Sequence, residues 1–290
     1  MRKYLKLIRV NHWLKNGLVF LPLFFSGNMF DLSMLLTCVL AFIIFCFTAS
    51  IVYIINDISD IDDDKNHPIK KNRPLASGVI SIKQAIFIII ILVILIATLI
   101  SYLYTNVHNI FIILIPLTYI LINILYSKGL KNIAIIDVLV LVSGFLFRVM
   151  YGGVSVDITV SKYLYLMVIF GSFYLGFGKR RGEVIKNGDK SRKVLSKYNK
   201  EFLDKNMYVA FGLAIVSYTL WCIEPSVVER VGHDYMFWTI PLLMSILQLY
   251  SLNIEKDSFG DPVDVILNDK ILFCVGFIYI IVMIFLLYII

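Results

Sequence analysis

Apolar runs of membrane-spanning length alternate with polar connections along the whole chain. The alternation predicts helices at 17–30, 33–57, 83–105, 108–127, 133–152, 161–178, 206–223, 235–253 and 271–290. Such runs cross hydrocarbon only as helices, because nothing there satisfies an open backbone group. The expected fold is an all-α polytopic membrane protein of nine transmembrane helices, forming a single domain over residues 1–290.

The second run ends in an abrupt change of character, Asn56-Asp57-Ile58-Ser59-Asp60-Ile61-Asp62-Asp63-Asp64-Lys65-Asn66-His67-Pro68. If the helix that begins near Ser33 continues through Asp64, steps of three and four residues put Asp57, Asp60 and Asp64 on one face. Asn56 and Asp63 flank that face, and Asp62 points away. Three carboxylates within about 10 Å of helix rise repel one another unless a cation sits among them. Carboxylate oxygens select hard ions, and Mg²⁺ is usually held by one or two carboxylates plus substrate phosphates. Asp57, Asp60 and Asp64 are therefore expected to be metal ligands for a Mg²⁺-bridged diphosphate. Most charge runs are merely solvated; the single helical spacing against an apolar segment sets this one apart.

Composition narrows the class. With 59% hydrophobic and 16% charged residues and a mean hydropathy of +0.84, a soluble globule of this length is excluded. The net charge of +7 could suggest nucleic acid, but its placement decides otherwise. Of the 27 Lys and Arg, all but Arg148, Lys162 and Arg230 fall in the N-terminal arm and the even-numbered loops, counting Lys83 at the loop-side edge of its run. The N-terminus and the acidic stretch are thus expected on the cytoplasmic side of the cytoplasmic membrane, with the C-terminus outside. Cys38, Cys46, Cys222 and Cys274 lie in apolar runs without metal-ligand spacing and read as packing residues. The first apolar stretch follows a basic arm and lacks a small-residue cleavage pattern, so no removable signal is expected.

The loops supply the cations. Residues 1–15 carry Lys3, Lys6 and Arg9 at helical spacing and predict a short interfacial helix, as fit for anchoring on anionic lipid as for chemistry. Lys15 and Asn16, immediately before the first span, are better placed to reach a ligand. In the 58–82 loop, Arg73 can fold back on a bound phosphate, which its planar fork suits, and Ser81 with Gln84 predicts a capping box. Tyr126 and Lys131 stand at the level of the acidic stretch, and His67 is expected to hydrogen-bond within its loop. Asp137 is an acid at membrane depth, which raises a functional hypothesis. Arg148, three turns further along, is expected to snorkel or to make a helix contact.

The 179–205 loop opens with Lys179, Arg180, Arg181 and Glu183, directly continuing a span. Leu195, Tyr198 and Phe202 repeat at helical spacing and predict a surface helix, while the distal lysines serve topology. In the 254–270 loop, Asp257, Asp261, Asp264 and Asp269 form a second acidic stretch, either closing over a site or solvated.

These residues resemble a known family. Asn56-Asp57-x-x-Asp60-x-x-x-Asp64 is similar to the first aspartate-rich motif of the UbiA superfamily of intramembrane prenyltransferases. Within it, the chain looks most like the branch of decaprenyl-phosphate phosphoribosyltransferases, which move a 5-phosphoribosyl group rather than a prenyl group. The resembling pieces run in order along most of the chain: Arg9-x-x-x-Trp13-x-Lys15-Asn16, the first motif with His67-Pro68 and Arg73-Pro74, Tyr126-Ser127-x-x-Leu130-Lys131 with Asp137, Arg148 with Gly152-Gly153, and Gly178-Lys179-Arg180 with Glu183. One departure matters. Typical members carry a second aspartate-rich motif after the sixth span, where this chain has Lys179, Arg180 and Arg181.

The resemblance implies a bundle around a lipid-accessible cavity, Mg²⁺ as cofactor, and phosphoribosyl pyrophosphate and a polyprenyl phosphate as substrates. It assigns catalysis and metal binding to Asp57, Asp60 and Asp64, and substrate binding to Lys15, Asn56, Arg73, Tyr126, Lys131, Lys179, Arg180 and Glu183. An ordinary prenyltransferase using the same metal site is the alternative enzyme. A divalent-cation transporter predicts acids deep in several spans, whereas only Asp137 and Arg148 lie well inside one. Oligomeric state stays open, a homo-oligomer included.

Overall fold

Helix starts follow local capping chemistry. The structure, a computed structural model, describes residues 2–66, 70–187, 194–255, 265 and 268–290, with no strand among them. His67, Pro68, Asp189, Asp257, Asp261 and Asp264 lie outside the described residues. A short α1 (Arg2–Leu7) leads into a 3₁₀ segment (Val10–Phe20) and α2 (Leu21–Phe25). Then come α3 (Leu32–Ser59), α4 (Ile61–Lys65), α5 (Ile82–Val107), α6 (Phe111–Lys128) and α7 (Ile136–Ser155). The chain closes with α8 (Lys162–Asn187), α9 (Lys200–Cys222), α10 (Pro225–Val231), α11 (Ile240–Glu255) and α12 (Lys270–Tyr288).

The side chains of Asp31, Ser81, Asn199 and Asp269 accept from the backbone N–H three residues on, opening α3, α5, α9 and α12. At Ser81 the bond is reciprocated by Gln84, completing the expected capping box. The cap at Asn199 also removes the expected surface helix. Phe202 belongs to the first turn of α9, while Tyr198 is extended and its ring packs in a core.

Among the described residues, six helices are long and apolar enough to cross a membrane: α3, α5, α6, α7, the Tyr235–Glu255 helix that includes α11, and α12. The bent pair α9 and α10, with 53° between them, makes a seventh if counted as one span. The first predicted span is divided instead between the 3₁₀ segment and α2, with Pro22 at the helix start and Gly27 at φ +83° beyond its end. The sixth corresponds to α8, whose middle carries Gly171, Ser172, Tyr174 and Gly176. Only 11% of the apolar window of α5 is buried within the chain. In water that surface would drive aggregation; against lipid tails it is already solvated. The protein is an integral membrane protein.

The chain forms two compact units. The first (residues 1–130 and 147–159) is built around α3, with Ile44, Phe45, Ala49 and Ile54 buried against Leu7, Val19 and Leu23. Without a hydrophobic drive between helices in lipid, close van der Waals packing must hold such a unit. Gly152 shows how close: a Cβ there would stand 1.9 Å from the carbonyl oxygen of Val19. The second unit (131–146 and 160–290) centres on α8 against α9, with Val138, Tyr174, Leu203, Met207 and Tyr250 in its core.

Candidate active site

The acidic stretch of the first unit is not one continuous helix. α3 stops at Ser59, Asp60 takes φ −102°, ψ 12°, and α4 restarts at Ile61. The single face expected for Asp57, Asp60 and Asp64 is therefore interrupted at its middle member. Seven residues of unbroken helix rise about 10 Å, yet the end carboxylates meet. Arg73 Nη1 donates to Asp57 Oδ1 at 3.1 Å and to Asp64 Oδ2 at 2.6 Å. Both acids are buried, each about 2% exposed, while Asp60 is half-buried and Asp62 and Asp63 are exposed. Asp62 pairs with Lys65.

Other cations crowd the same two acids. Arg9 Nη2 donates to Asp57 Oδ1 at 2.5 Å, and Lys70 Nζ lies 4.0 Å from Asp64 Oδ1. Arg9 joins α1 to the 3₁₀ segment in the left-handed region, φ 52°, which few non-glycine residues adopt. Its guanidinium lies 4.9 Å from the ring centroid of Tyr53. The segment is fastened to α3 through Trp13 Nε1, which donates to Ser50 Oγ at 3.1 Å, and Ser50 Oγ, which donates to the Ile8 carbonyl at 2.9 Å. The 3₁₀ turn Lys70–Asn72 returns the chain so that Arg73 reaches back. Asn56 accepts a hydrogen bond from Ser127 Oγ, tying the end of α3 to α6, where Tyr126 is half-buried. Lys15 is half-buried on the 3₁₀ segment.

Arg148 makes the helix contact rather than snorkelling. It is buried, its Nε donates to Asn16 Oδ1 at 2.8 Å, and it lies over the rings of Phe45 and Tyr119.

Among the described residues no three His, Cys, Asp or Glu side chains stand close enough to cage a metal. What converges is a pair, Asp57 and Asp64, around a point held by a cationic nitrogen. Two buried carboxylates around one positive centre are the protein share that Mg²⁺ needs when a diphosphate completes its shell, so the donor set fits that ion.

In the second unit Asp137 is fully buried. It accepts from Arg180 Nε at 2.6 Å and from the Tyr198 hydroxyl at 2.6 Å. Arg180, itself 1% exposed, also donates from Nη1 to Glu183 Oε2 at 2.7 Å. The Tyr198 hydroxyl accepts the Ile135 N–H at 2.6 Å, holding that β-branched residue at φ 71°. Burial first, and then the bond to Asp137, push the Tyr198 phenol well above its ordinary pKa, so it stays a donor. Arg181 pairs with Asp204. Lys179 and Lys131 are half-buried, the latter in the turn Leu130–Asn132.

Three partners were not singled out by spacing: Arg9 on Asp57, Ser127 on Asn56, and Tyr198 on Asp137. Arg9 had one available signal, its place beside Trp13 and Lys15 at the end of a basic arm. The other two pairings span 71 and 61 residues, beyond any local periodicity.

The sequence profile of the UbiA prenyltransferase family matches residues 18–264. The chain belongs to the UbiA prenyltransferase family. It is 32% identical to the decaprenyl-phosphate phosphoribosyltransferase of Corynebacterium glutamicum, over 92% of this chain and 81% of that one. The protein of the same name from Mycolicibacterium smegmatis is 31% identical over 92% and 87%. Among solved structures, a UbiA homologue of Archaeoglobus fulgidus bound to DMAPP and Mg²⁺ superposes with a TM-score of 0.72 at 20% identity, over 98% of this chain and 97% of that one. The likeness in fold thus covers 98% of the chain.

Proposed function

We propose that this UbiA protein transfers the 5-phosphoribosyl group of phosphoribosyl pyrophosphate to a polyprenyl phosphate, releasing pyrophosphate. The observation that carries the reading is identity above 30% along 92% of the chain to relatives named for that transfer. The cation-rich surroundings of both acidic clusters support it, because two phosphate-bearing substrates demand more positive charge than a neutral acceptor does.

Asp57 and Asp64, with Asp60 beside them, are the residues that would hold Mg²⁺. Bound there, the ion neutralises charge on a departing diphosphate. Arg73 can exchange carboxylate for phosphate, since its fork suits both. Lys15, Lys131, Lys179 and Arg180 are the cations we assign to the substrate phosphates, with Glu183 orienting Arg180. Asn56 and Tyr126 supply neutral hydrogen bonds to ribose or phosphate oxygens.

The bond from a polyprenyl phosphate oxygen to C1 of the ribose forms as the bond from C1 to the diphosphate oxygen breaks, and pyrophosphate leaves with the electron pair. A phosphate monoester is largely ionised near neutral pH, so the nucleophile needs no general base. Holding both reactants at the membrane surface supplies the remaining advantage. The isoprenoid tail lies among the Ile-, Leu- and Phe-rich helices. We further propose nine spans in the cytoplasmic membrane, with the N-terminus and the acidic stretch in the cytoplasm and the C-terminus outside. The excess of Lys and Arg in the N-terminal arm and the even-numbered loops supports this orientation.

A second reading, prenyl transfer from a prenyl diphosphate, is favoured by the family's own name and its shared fold. Purified protein supplied with Mg²⁺, a polyprenyl phosphate and either labelled phosphoribosyl pyrophosphate or a labelled prenyl diphosphate separates the two. Label from phosphoribosyl pyrophosphate is expected in the lipid phase. Label passing only from the prenyl diphosphate, into a new product of an added aromatic or lipid acceptor separated from the unreacted donor, overturns the assignment.

A further inference from the structure

The 3₁₀ segment Val10–Phe20 is eleven residues long, whereas such helices seldom run beyond three or four residues. Contacts outside the segment must therefore hold it in this form, and they follow a register. Trp13 and Asn16, three apart, meet Ser50 and Cys46, four apart on α3. Asn16 and Val19, again three apart, meet Arg148 and Gly152, four apart on α7. Three residues of 3₁₀ helix rise about 6 Å, as do four residues of α-helix. The segment thus keeps step with both neighbours as a 3₁₀ helix. As an α-helix it would rise about 4.5 Å over the same three residues and lose the match within a turn or two.

Asn16 is the member common to both rows. Expected beside Lys15 to reach a ligand, it is instead buried, and both ends of its amide are engaged. Its Nδ2 donates to Cys46 Sγ at 3.2 Å, and its Oδ1 accepts from Arg148 Nε at 2.8 Å. The guanidinium is itself fixed over the rings of Phe45 and Tyr119. Lys15, the next residue towards the N-terminus, stays half-buried.

We propose that Asn16, clamped between Cys46 and Arg148, is a positioning residue that sets where Lys15 presents its ammonium group. The importance of that placement rests on the reading that Lys15 holds a substrate phosphate. Val10 adjoins Arg9, which Asp57 holds in place. Over the five steps from Val10 to Lys15, a change from 3₁₀ to α-helix would move Lys15 about 2.5 Å along the axis and about 100° around it. A misplacement of about 1 Å can cost about 100-fold in rate, so a loosened register is felt at the substrate although the Asn16 side chain is buried.

The test uses the full chain in detergent with Mg²⁺, phosphoribosyl pyrophosphate and a polyprenyl phosphate. Wild type is compared with Asn16→Ala, Asn16→Asp, Lys15→Ala and Lys15→Ala/Asn16→Ala, and acetylation of Lys15 by acetic anhydride is followed by mass spectrometry. Asn16→Ala is expected to raise KM about tenfold for the same substrate that Lys15→Ala affects, and the double variant to be no worse than Lys15→Ala, because the two residues act as one unit. Asn16→Ala should also alter the acetylation rate of Lys15 while Lys3 and Lys6 react as before. Asn16→Asp keeps the acceptor for Arg148 and should restore a near wild-type KM. Should Asn16→Ala fail to fold, Arg148→Gln breaks the same bond and is expected to give the same KM and acetylation changes. Unchanged acetylation of Lys15, or effects that multiply in the double variant, would reduce Asn16 to a residue of stability alone and overturn the proposal. Wild-type KM in Lys15→Ala, with Lys15 acetylation still altered by Asn16→Ala, would remove Lys15 from the substrate site and leave its placement by Asn16 standing.

Discussion

Asp57 and Asp64 converge on a single nitrogen atom, Nη1 of Arg73. In an unbroken helix their backbones are separated by about two turns; here the interruption at Asp60 and the returning loop bring their oxygens to one point. On the proposed function, removing one carboxylate takes away one of the two buried metal ligands. Asp57→Asn and Asp64→Asn are each expected to lower the transfer rate by roughly 100- to 1,000-fold. Asp62→Asn, at an exposed surface pair with Lys65, should stay near wild type. Initial rates across a Mg²⁺ titration decide the matter, and near wild-type turnover by Asp64→Asn at limiting Mg²⁺ would remove the metal assignment.

Arg180 and Asp137 form a buried pair, 1% and fully buried. Taking away one member strands a charge, so Arg180→Ala is expected to destabilise the protein by about 3–5 kcal/mol. Replacing both, as Asp137→Leu/Arg180→Met, should recover most of that loss. Thermal unfolding in detergent gives the comparison. A double variant as unstable as the single one would mean that the pair contributes through packing rather than through charge.

Gly152 admits no side chain. Since the atom facing it is the backbone carbonyl of Val19, Gly152→Ala cannot be relieved by a rotamer change and should cost about 1–3 kcal/mol. Gly171, inside α8 with open space around it, is the control. There an alanine should be neutral or stabilising by up to about 1 kcal/mol. If the two variants melt alike, the close approach of α7 to the 3₁₀ segment is not as tight as described.

Tyr198 provides a pH signature. Its folded pKa is raised, so its contribution to stability is fully present below the ordinary phenol value near 10 and is lost as pH rises through the folded value. Tyr198→Phe leaves the buried acid one donor short and the Ile135 N–H without its acceptor, a cost of about 1–3 kcal/mol at neutral pH. The gap in melting temperature between wild type and variant should therefore be constant from pH 8 to about 9 and begin to narrow above about pH 10, where the unfolded phenol ionises and the folded one does not. A constant gap up to pH 11 would show that folding leaves the phenol at its ordinary value.

Much of the architecture was legible in hydropathy. Runs such as 33–57, 83–105 and 271–290 reappear as α3, α5 and α12 to within a few residues, because hydrocarbon leaves an apolar run no conformation but a helix. The capping box at Ser81 was legible for an equally local reason. The first and sixth apolar stretches were harder. Pro22 and Gly27 divide one, and Gly, Ser and Tyr dilute the other, so length and mean hydropathy say little about either. At the candidate site the acids were visible from spacing alone. Their arginine partners were only partly so, since Arg9 reaches Asp57 across 48 residues. The helical spacing of Leu195, Tyr198 and Phe202 misled because Asn199 starts a new helix in their midst.

The stop at Asp60 divides one long rod in two, a membrane-crossing α3 and a five-residue α4. Asp57 stands on the first and Asp64 on the second, so it is Arg73 and not a shared helix that holds the two acids together. In a continuous helix the pitch alone would set their spacing.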